Sequence, residues 1–138
     1  MENFHLIDHT SDIGLVANGH TLEETFVNAA RGLFSIMIDE DKSSETECRK
    51  IYVSETDAES LLVKWLNELI YFFDAENLFF TKFDVTHLTD QTIKANCYGD
   101  KLDPSIHSIN IGVKAATYHM LEIKKIGDIF NAQILFDV

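Results

Sequence analysis

Two stretches of the chain carry apolar residues at the spacing of an amphipathic helix. The first begins at Thr21, where Glu24 three residues later completes a capping-box pattern that is typical of a helix start. Its apolar positions are Leu22, Phe26, Ala29, Ala30, Leu33, Phe34 and Met37. The second begins near Asp57, and its broader apolar stripe consists of Leu61, Leu62, Trp65, Leu66, Leu69, Ile70 and Phe73. We therefore predict two long helices whose stripes belong to the core and carry no chemistry.

Most of the remaining chain alternates between apolar and polar residues, or runs apolar, as strands do. The predicted strands cover residues 4–8, 12–18, 50–55, 79–88, 91–98, 112–126 and 129–137. Two short connections, Thr89-Asp90 and Gly127-Asp128, have the length of hairpin turns. The most polar stretch, residues 39–50, is predicted to be a loop between the two helices.

This order of elements predicts an α+β fold in which the two long helices pack on one face of a mainly antiparallel sheet. The succession of strand–helix–strand units leaves open a duplication of strand–helix–strand–strand modules, which no identity between the units supports strongly. A chain of 138 residues is long enough for one domain with a proper core and short for two. We therefore expect a single domain over residues 1–138.

The chain is strongly acidic, with 23 acidic and 11 basic side chains and a formal net charge of −12. A field of this sign repels nucleic acid phosphates, which proteins bind through clusters of Lys and Arg. We therefore expect no direct binding of nucleic acid. The charge serves solubility, or it attracts cations or a basic protein partner.

Compartment signals are few. No apolar run approaches the roughly 20 residues of a membrane span, and the first residues do not resemble a signal peptide. Cys48 and Cys97 lack CxxC spacing and suggest no disulfide framework. We therefore expect a protein of the reducing cytoplasm without membrane contact.

The stretch FHLIDHTSDIG, residues 4–14, places five consecutive polar residues between two apolar runs. Either a turn needs these polar side chains, or a binding site needs their oxygen atoms. Since side chains alternate between the faces of a strand, Asp12 lies opposite the face that carries Ile13, Leu15 and Ala17. Asp12 is thus predicted to point away from the core.

The same alternation places Lys114 and Asp137 on the polar faces of the last two predicted strands. Val138 follows directly, and its α-carboxylate would lie beside the Asp137 side chain. Adjacent carboxylates repel each other unless a cation or a basic group lies between them, and hard cations such as Ca²⁺ and Mg²⁺ take carboxylate oxygens. Asp12 could supply a third carboxylate. From spacing alone, the simpler interpretation is that Asp137 is an ordinary solvated acid.

Other catalytic signals are weak. His9, His107 and His119 lie far apart and show no HExxH-type spacing. His119 falls on the apolar face of its predicted strand, so we expect a hydrogen-bonded core histidine rather than a metal ligand. No phosphate-binding loop, dinucleotide fingerprint or GxSxG motif occurs. Neither Ser11 nor Cys97 has an identifiable base, so nucleophilic catalysis has little support.

Several segments together resemble the archease family. They are DHTSDIG, LEETFVNAARGLFSIMID, DAESLLVKWLNELIYFFD, YGDKLDPSIH, VKAATYH and the terminal FDV. They occur in the order of the family and span nearly the entire chain, and DHTSDIG together with VKAATYH is far more specific than any single motif. Ser11 stands where alanine is more usual in the family, which leaves Asp12 in place.

The resemblance implies a protein that is not an enzyme in its own right but a cofactor of the RtcB-type RNA ligase. That ligase joins RNA 3′-phosphate or 2′,3′-cyclic phosphate ends to 5′-hydroxyl ends, using GTP, Mn²⁺ and a guanylylated histidine. Archeases promote the guanylylation and allow multiple turnovers, in tRNA splicing and RNA repair. An older proposal makes the family a chaperone or specificity modulator of a tRNA methyltransferase.

Carried over residue by residue, the metal-binding acids of the family correspond to Asp12 and Asp137, with Val138 close by, and its functional lysine to Lys114. The resemblance thus implies a divalent metal ion as cofactor, Ca²⁺ in a crystal, with Mg²⁺ or Mn²⁺ as alternatives. The other candidates are Asp8 and His9, expected to position the site or bind the partner, and Thr10, His107 and His119, expected to support the site or the fold.

Two rival functions remain open at this point. A metal-dependent hydrolase could use the same acids, but it would need a further carboxylate or histidine base nearby, and the sequence shows none with clear spacing. A chaperone of a tRNA methyltransferase would differ from a ligase activator only in its partner.

Overall fold

The computed structural model describes residues 3–8, 12–39 and 42–138, and in these ranges it contains eight strands and two helices. Their order is β1 (Phe4–Asp8), β2 (Asp12–Gly19), α1 (Leu22–Met37), β3 (Glu47–Ser54), α2 (Ala58–Glu76), β4 (Leu78–Leu88), β5 (Thr92–Lys101), β6 (Ala115–Ala116), β7 (Glu122–Ile126) and β8 (Ile129–Asp137). The α+β class is confirmed. Neither helix is long and apolar enough to cross a membrane.

Both helices start where the sequence predicts, because a side chain caps each first turn. The Thr21 hydroxyl accepts a hydrogen bond from the Glu24 amide at 3.0 Å. The Asp57 carboxylate accepts one from the Ser60 amide at 2.8 Å. Each cap satisfies a backbone donor that has no partner within its helix.

The strands form two antiparallel sheets. One has the order β1-β2-β8-β6, with β7 also paired to β8, and the other has the order β3-β5-β4. The unit β3-α2-β4-β5 therefore has a sheet of its own. The predicted loop over residues 39–50 is wrong at its end, since β3 already begins at Glu47 and pairs with Gly99.

The core includes residues of both helices and both sheets. Trp65 of α2 is fully buried and donates from its indole nitrogen to the carbonyl of Phe26 in α1, at 3.1 Å. On β2, Leu15 and Ala17 face this core as predicted. The opposite face is not simply polar, because Val16 is buried as well.

Helix α1 runs back along β2, which fixes the end of the molecule where it finishes. Near its start, Thr25 lies against Gly19, the last residue of β2. Two turns later, Gly32 lies against Leu15, so closely that a Cβ at Gly32 would approach a Leu15 methyl carbon to 2.6 Å. The carboxyl end of α1, at Met37, therefore lies at the same end of the sheet as Asp12.

The predicted continuous strand over residues 112–126 is wrong. The Lys114 amide donates to the carbonyl of Asp137 at 2.8 Å, and the Thr117 amide donates to the carbonyl of Leu135 at 3.0 Å. Three steps along this segment thus match two steps along β8, which is the count of a β-bulge. After the bulge the chain leaves β8, and it pairs again only from Glu122 in β7.

The bulge also breaks the predicted alternation of faces. Val113 and Ala116 are both buried although they are three residues apart. His119, predicted to be a core histidine, is exposed in the segment between β6 and β7. That prediction failed because it extended a two-residue period through a segment that is not a regular strand.

Candidate functional site

Asp12 and Asp137 lie side by side at one end of the larger sheet. Strand β2 pairs with β8 over its whole length, and the register places Asp12 directly opposite Asp137. Directly opposed residues share a face of the sheet, with Cβ atoms about 4.5–5.5 Å apart. Asp12 is half-buried and Asp137 is exposed. Two acids that are 125 positions apart in the sequence are therefore neighbours.

Lys114 reaches the same end of the sheet from the other side of β8. Its amide donates to the Asp137 carbonyl, and the next residue, Ala115, lies opposite Asp137 in the register. The Lys114 side chain is exposed. The three residues that the sequence analysis selected thus meet at one end of the sheet, two of them from the paired strands β2 and β8 and Lys114 from the position just before β6.

A residue that the sequence analysis missed, Asn67 of α2, holds the segment that carries Lys114. Its side-chain oxygen accepts from the Ala116 amide at 2.8 Å, and its side-chain nitrogen donates to the Ala116 carbonyl at 3.2 Å. The amide thus satisfies the donor and the acceptor of an edge strand, as a neighbouring strand would. In the sequence, the one feature that could have indicated this role of Asn67 was its place as a polar residue beside the apolar stripe of α2.

Helix α2 makes a second hydrogen bond to this region, beyond residues 117–121, the segment between β6 and β7 that we call the excursion. The Glu59 carboxylate, two turns before Asn67, accepts from the Ile123 amide at 3.2 Å. Within the excursion, the Gln133 side chain donates to the Met120 carbonyl at 3.0 Å. Residues 117–121 are therefore anchored on both sides and at their centre.

The other candidates at this end are only partly described. Asp8 ends β1 opposite Ile13, next to Asp12 in the sheet, but its side chain lies outside the described structure. His9 and Thr10 also lie outside the described residues. Val138 follows Asp137 at the sheet end and is partly exposed. The predicted roles of Asp8, His9 and Thr10 therefore stay predictions.

His107 is held by contacts within its own loop and by a ring contact with β4. Its Nδ1 atom accepts from the Asp103 amide at 2.8 Å, and its ring packs edge-on against Phe79 with centroids 4.8 Å apart. The Asp103 carboxylate accepts from both the amide and the hydroxyl of Ser105, which lowers the pKa of Asp103. These bonds order the turn that precedes the VKAAT segment.

The donor set at the sheet end suits a hard divalent cation, which takes carboxylate and carbonyl oxygens. Asp12 and Asp137 offer two carboxylates from opposed positions, and Val138 adds oxygens of the main chain. No group of three or more His, Cys, Asp or Glu side chains that could hold a metal occurs among the residues described. The chain thus offers a partial set of ligands that leaves coordination positions open.

The candidate site lies apart from the cavity that the described residues form between β1, α1 and β4. None of Asp12, Lys114 and Asp137 lines the cavity of about 470 Å³ between β1, α1 and β4, whose lining is Phe4, Arg31, Phe34, Ser35, Ile38, Asp39, Phe80 and Thr81. Burial raises the pKa of the Cys97 thiol to about 12, with a smaller contribution from Cys48, and this disfavours its reactive thiolate form.

Comparison with known proteins decides the family. Residues 4–138 match the model of the Archease protein family (MTH1598/TM1083). The chain belongs to the archease family. Among relatives named protein archease, that of Methanosarcina mazei is 39% identical over 142 residues, covering 99% of this chain and 97% of the relative. That of Saccharolobus islandicus is 40% identical over 139 residues and covers both chains completely.

Solved archease-like structures share the fold. Protein 1598 of Methanobacterium thermoautotrophicum superposes with a TM-score of 0.82 at 31% identity, covering 100% of both chains. An archease of Thermotoga maritima, described as a possible chaperone, superposes with a TM-score of 0.66 at 19% identity, covering 96% of this chain and 94% of the other. At 19% identity, the similarity to the Thermotoga maritima structure supports the fold only.

Proposed function

We propose that this protein is an accessory protein, without enzymatic activity of its own, that activates the RtcB-type RNA ligase. In this role it promotes guanylylation of the ligase and lets it complete multiple turnovers in tRNA splicing and RNA repair. The end of the sheet that carries Asp12, Asp137 and Lys114 is the part that acts on the ligase.

One observation carries the proposal: Asp12 lies opposite Asp137, and Lys114 is bonded through its backbone to Asp137, so that three charged residues meet at one end of the larger sheet. Membership of the archease family supports the choice of partner. The net charge of −12 supports a partner with a cationic cleft, which a protein that holds RNA must have. Lys114 would then pair with a phosphate or with a carboxylate of the ligase.

The proposal includes a divalent metal ion, Ca²⁺, Mg²⁺ or Mn²⁺, held by Asp12, Asp137 and an oxygen of Val138. When bound, such an ion supplies positive charge between the two carboxylates and leaves coordination positions for other ligands. Asp12 and Asp137 place two carboxylates at one end of the sheet, and the exposed Lys114 adds a positive charge on the segment that is bonded to Asp137. This incomplete ligand set is what an ion shared with a partner requires.

Ligation assays with the RtcB-type ligase of the same organism test the activation. We expect the wild-type protein to raise guanylylation and to convert single-turnover ligation into multiple-turnover ligation, and Asp12→Asn and Asp137→Asn to lose both effects. Asp128→Asn is the matched control, since Asp128 is an exposed acid in the hairpin at the other end of β8. Full activation by Asp12→Asn would rule out the proposed site, and no activation by the wild-type protein would rule out the function.

A thermal titration tests the metal site separately. A ligand that binds only the folded state stabilises it by about 2.7 kcal/mol at a concentration of 100 times its Kd. We therefore expect saturating Ca²⁺, Mg²⁺ or Mn²⁺ to raise the melting temperature of the wild-type protein, and of Asp128→Asn, but not of Asp12→Asn. Equal shifts in all three would place the binding elsewhere.

The alternative function is a chaperone or specificity modulator of a tRNA methyltransferase. The sequence analysis left this function open, and one archease, that of Thermotoga maritima, is described as a possible chaperone. It predicts that the protein keeps an aggregation-prone tRNA methyltransferase soluble on heating or changes which tRNA position is methylated. A protein that activates the ligase and does neither would settle the choice for the ligase.

A further inference from the structure

We call the end of the larger sheet that carries Asp12 and Asp137 the acidic end. Large apolar side chains are exposed in the segments on both sides of it. The relative exposure is 52% for Ile109, 38% for Ile111 and 61% for Tyr118. Single exposed apolar residues are common on protein surfaces, but several around one charged centre are typical of an interaction site. Their position relative to Asp137 therefore decides whether they can belong to one interaction surface with the two acids.

Ile109 and Ile111 belong to a segment that is bound to the carboxyl end of α1. The Asp39 amide donates to the Ser108 carbonyl at 3.0 Å, and the Asn110 amide donates to the Met37 carbonyl at 2.9 Å. This end of α1 lies at the end of the sheet where Asp12 is found. The isoleucines therefore flank the acidic end on the side of α1.

Chain length gives a limit on their distance from the acids. Lys114, whose amide is bonded to the Asp137 carbonyl, follows Ile109 by five residues and Ile111 by three. At about 3.4 Å per extended residue, Ile109 lies within roughly 17 Å of Lys114, and Ile111 within roughly 10 Å. Both distances fit within a protein interface of ordinary size.

Tyr118 flanks the acidic end on the side of β6. The preceding residue, Thr117, bonds to Leu135 through its amide and its hydroxyl, both at 3.0 Å, only two residues before Asp137 on β8. The bonds from Asn67 to Ala116 anchor the same segment to α2. Tyr118 is thus held on an ordered segment, so that little conformational entropy is lost if it becomes buried against a partner.

We propose that Ile109, Ile111 and Tyr118 form an apolar collar around the acidic end and are the residues that anchor this protein to its partner. The partner is a protein whose binding surface has a cationic centre and an apolar rim, which together complement the carboxylates and the collar. The proposal rests on the proposed function, in which that partner is the RNA ligase. The charges direct the approach, and burial of the collar supplies most of the affinity.

The test measures the Kd for the purified RNA ligase by isothermal titration calorimetry. Truncated anchors of an interface typically weaken binding by about tenfold or more, so we expect this loss for the double variant Ile109→Ser/Ile111→Ser and for Tyr118→Ser. Tyr118→Phe, which keeps the ring, retains the affinity of the wild type. Circular dichroism and melting temperature verify that each variant is folded.

Two matched controls lie on other surfaces. Ile126 is 60% exposed and precedes the hairpin at the far end of β8, and at about 3.4 Å per residue that end is roughly 27 Å from Asp137. Tyr52 is 62% exposed on β3 of the other sheet. We expect Ile126→Ser and Tyr52→Ser to bind the ligase within twofold of the wild type, a margin well below the loss at an anchor.

Three outcomes would overturn the collar. Folded collar variants that bind like the wild type would exclude it while leaving ligase activation intact. An equal loss for the control variants would show that any exposed apolar residue has this effect. Sedimentation velocity showing a wild-type dimer that the collar variants convert to monomers would assign the surface to a second copy of this chain. A wild-type protein that neither binds nor activates the ligase would instead refute the proposed function itself.

Discussion

At the scale of single residues, the candidate site depends on the pairing of Asp12 with Asp137. Each is the one acidic residue of its strand and stands at one end of it, and antiparallel pairing of β2 with β8 sets them opposite each other. Two opposed carboxylates are unfavourable in a sheet, since like charges directly across from one another destabilise it. In the proposed function, a bound cation or a basic surface of the partner offsets this repulsion.

Substituting Lys114 with alanine is expected to remove function without harming the fold. Lys114 is exposed, and such substitutions usually change the free energy of unfolding by no more than about 0.5 kcal/mol. We expect an unchanged melting temperature and reduced guanylylation of the ligase at saturating protein, with Lys50→Ala on β3 as the control. Normal activation would remove Lys114 from the site, and a large fall in melting temperature would make it a structural residue.

The two cysteines are expected to differ sharply in reactivity. Burial raises the pKa of the Cys97 thiol to about 12, whereas Cys48 is exposed. Iodoacetamide at about pH 8 should therefore modify only Cys48 in the folded protein and both residues in urea, as read by mass spectrometry. The raised pKa also means that this group stabilises the fold fully below its unfolded pKa and loses that contribution as the pH rises toward 12. Rapid native modification of Cys97 would contradict its burial.

At the scale of elements, the site depends on how α2 completes the edge of the larger sheet. Strand β6 has only two residues in the ladder, too few to fix its own position. Asn67 and Glu59 of α2 supply the bonds that a further strand would have made to β6 and β7. A helix in the core thereby controls the strand segment next to Lys114.

Replacing Asn67 by leucine is expected to loosen this edge. The change leaves the amide and the carbonyl of Ala116 without their partner, and an unsatisfied, partly buried group costs about 1–3 kcal/mol. Urea denaturation should show that loss, and hydrogen exchange should accelerate in residues 113–117. Tyr71→Leu, an exposed change one turn further along α2, is the control. Unchanged exchange at Ala116 in Asn67→Leu would mean that the two bonds do not order the segment.

At the scale of the whole molecule, hydrogen-bonded carboxylates with lowered pKa values are expected to make the fold sensitive to acid. The side chain and the amide of Thr46 and the amide of Ser44 donate to Asp100, and the side-chain bond is the main reason that the pKa of Asp100 is lowered. The first-turn amide of Ser60 likewise lowers the pKa of Asp57. These bonds hold the segment before β3 and the start of α2.

Stability is therefore expected to fall as the pH drops below the ordinary carboxylate value of 3.8. The sign follows because a group with a lowered folded pKa stabilises the fold above its unfolded pKa and loses this contribution as the folded form is protonated. Urea midpoints between pH 7 and pH 3 should decline less steeply in Asp100→Asn and Thr46→Ala than in the wild type. Parallel curves for all three proteins would exclude Asp100 as a source of the acid sensitivity.

The sequence by itself determined the features that depend on neighbouring residues. Both helices, their caps at Thr21 and Asp57, and the core faces of β2 and β8 follow from local periodicity and short-range hydrogen bonds. The family motifs identified Asp12, Asp137 and Lys114 as candidates, because motifs record residue types at fixed spacing.

Only the tertiary structure decided which distant residues meet. The pairing of Asp12 with Asp137 depends on the register between β2 and β8. That register is fixed by contacts between residues that are up to 125 positions apart in the sequence. The bulge before Thr117 and the exposure of His119 arise because α2 and β8 both bond to the VKAAT segment. A two-residue period carries no information about such competing partners. The sequence could therefore select candidate residues for the site, but it could not predict the sheet edge on which they lie.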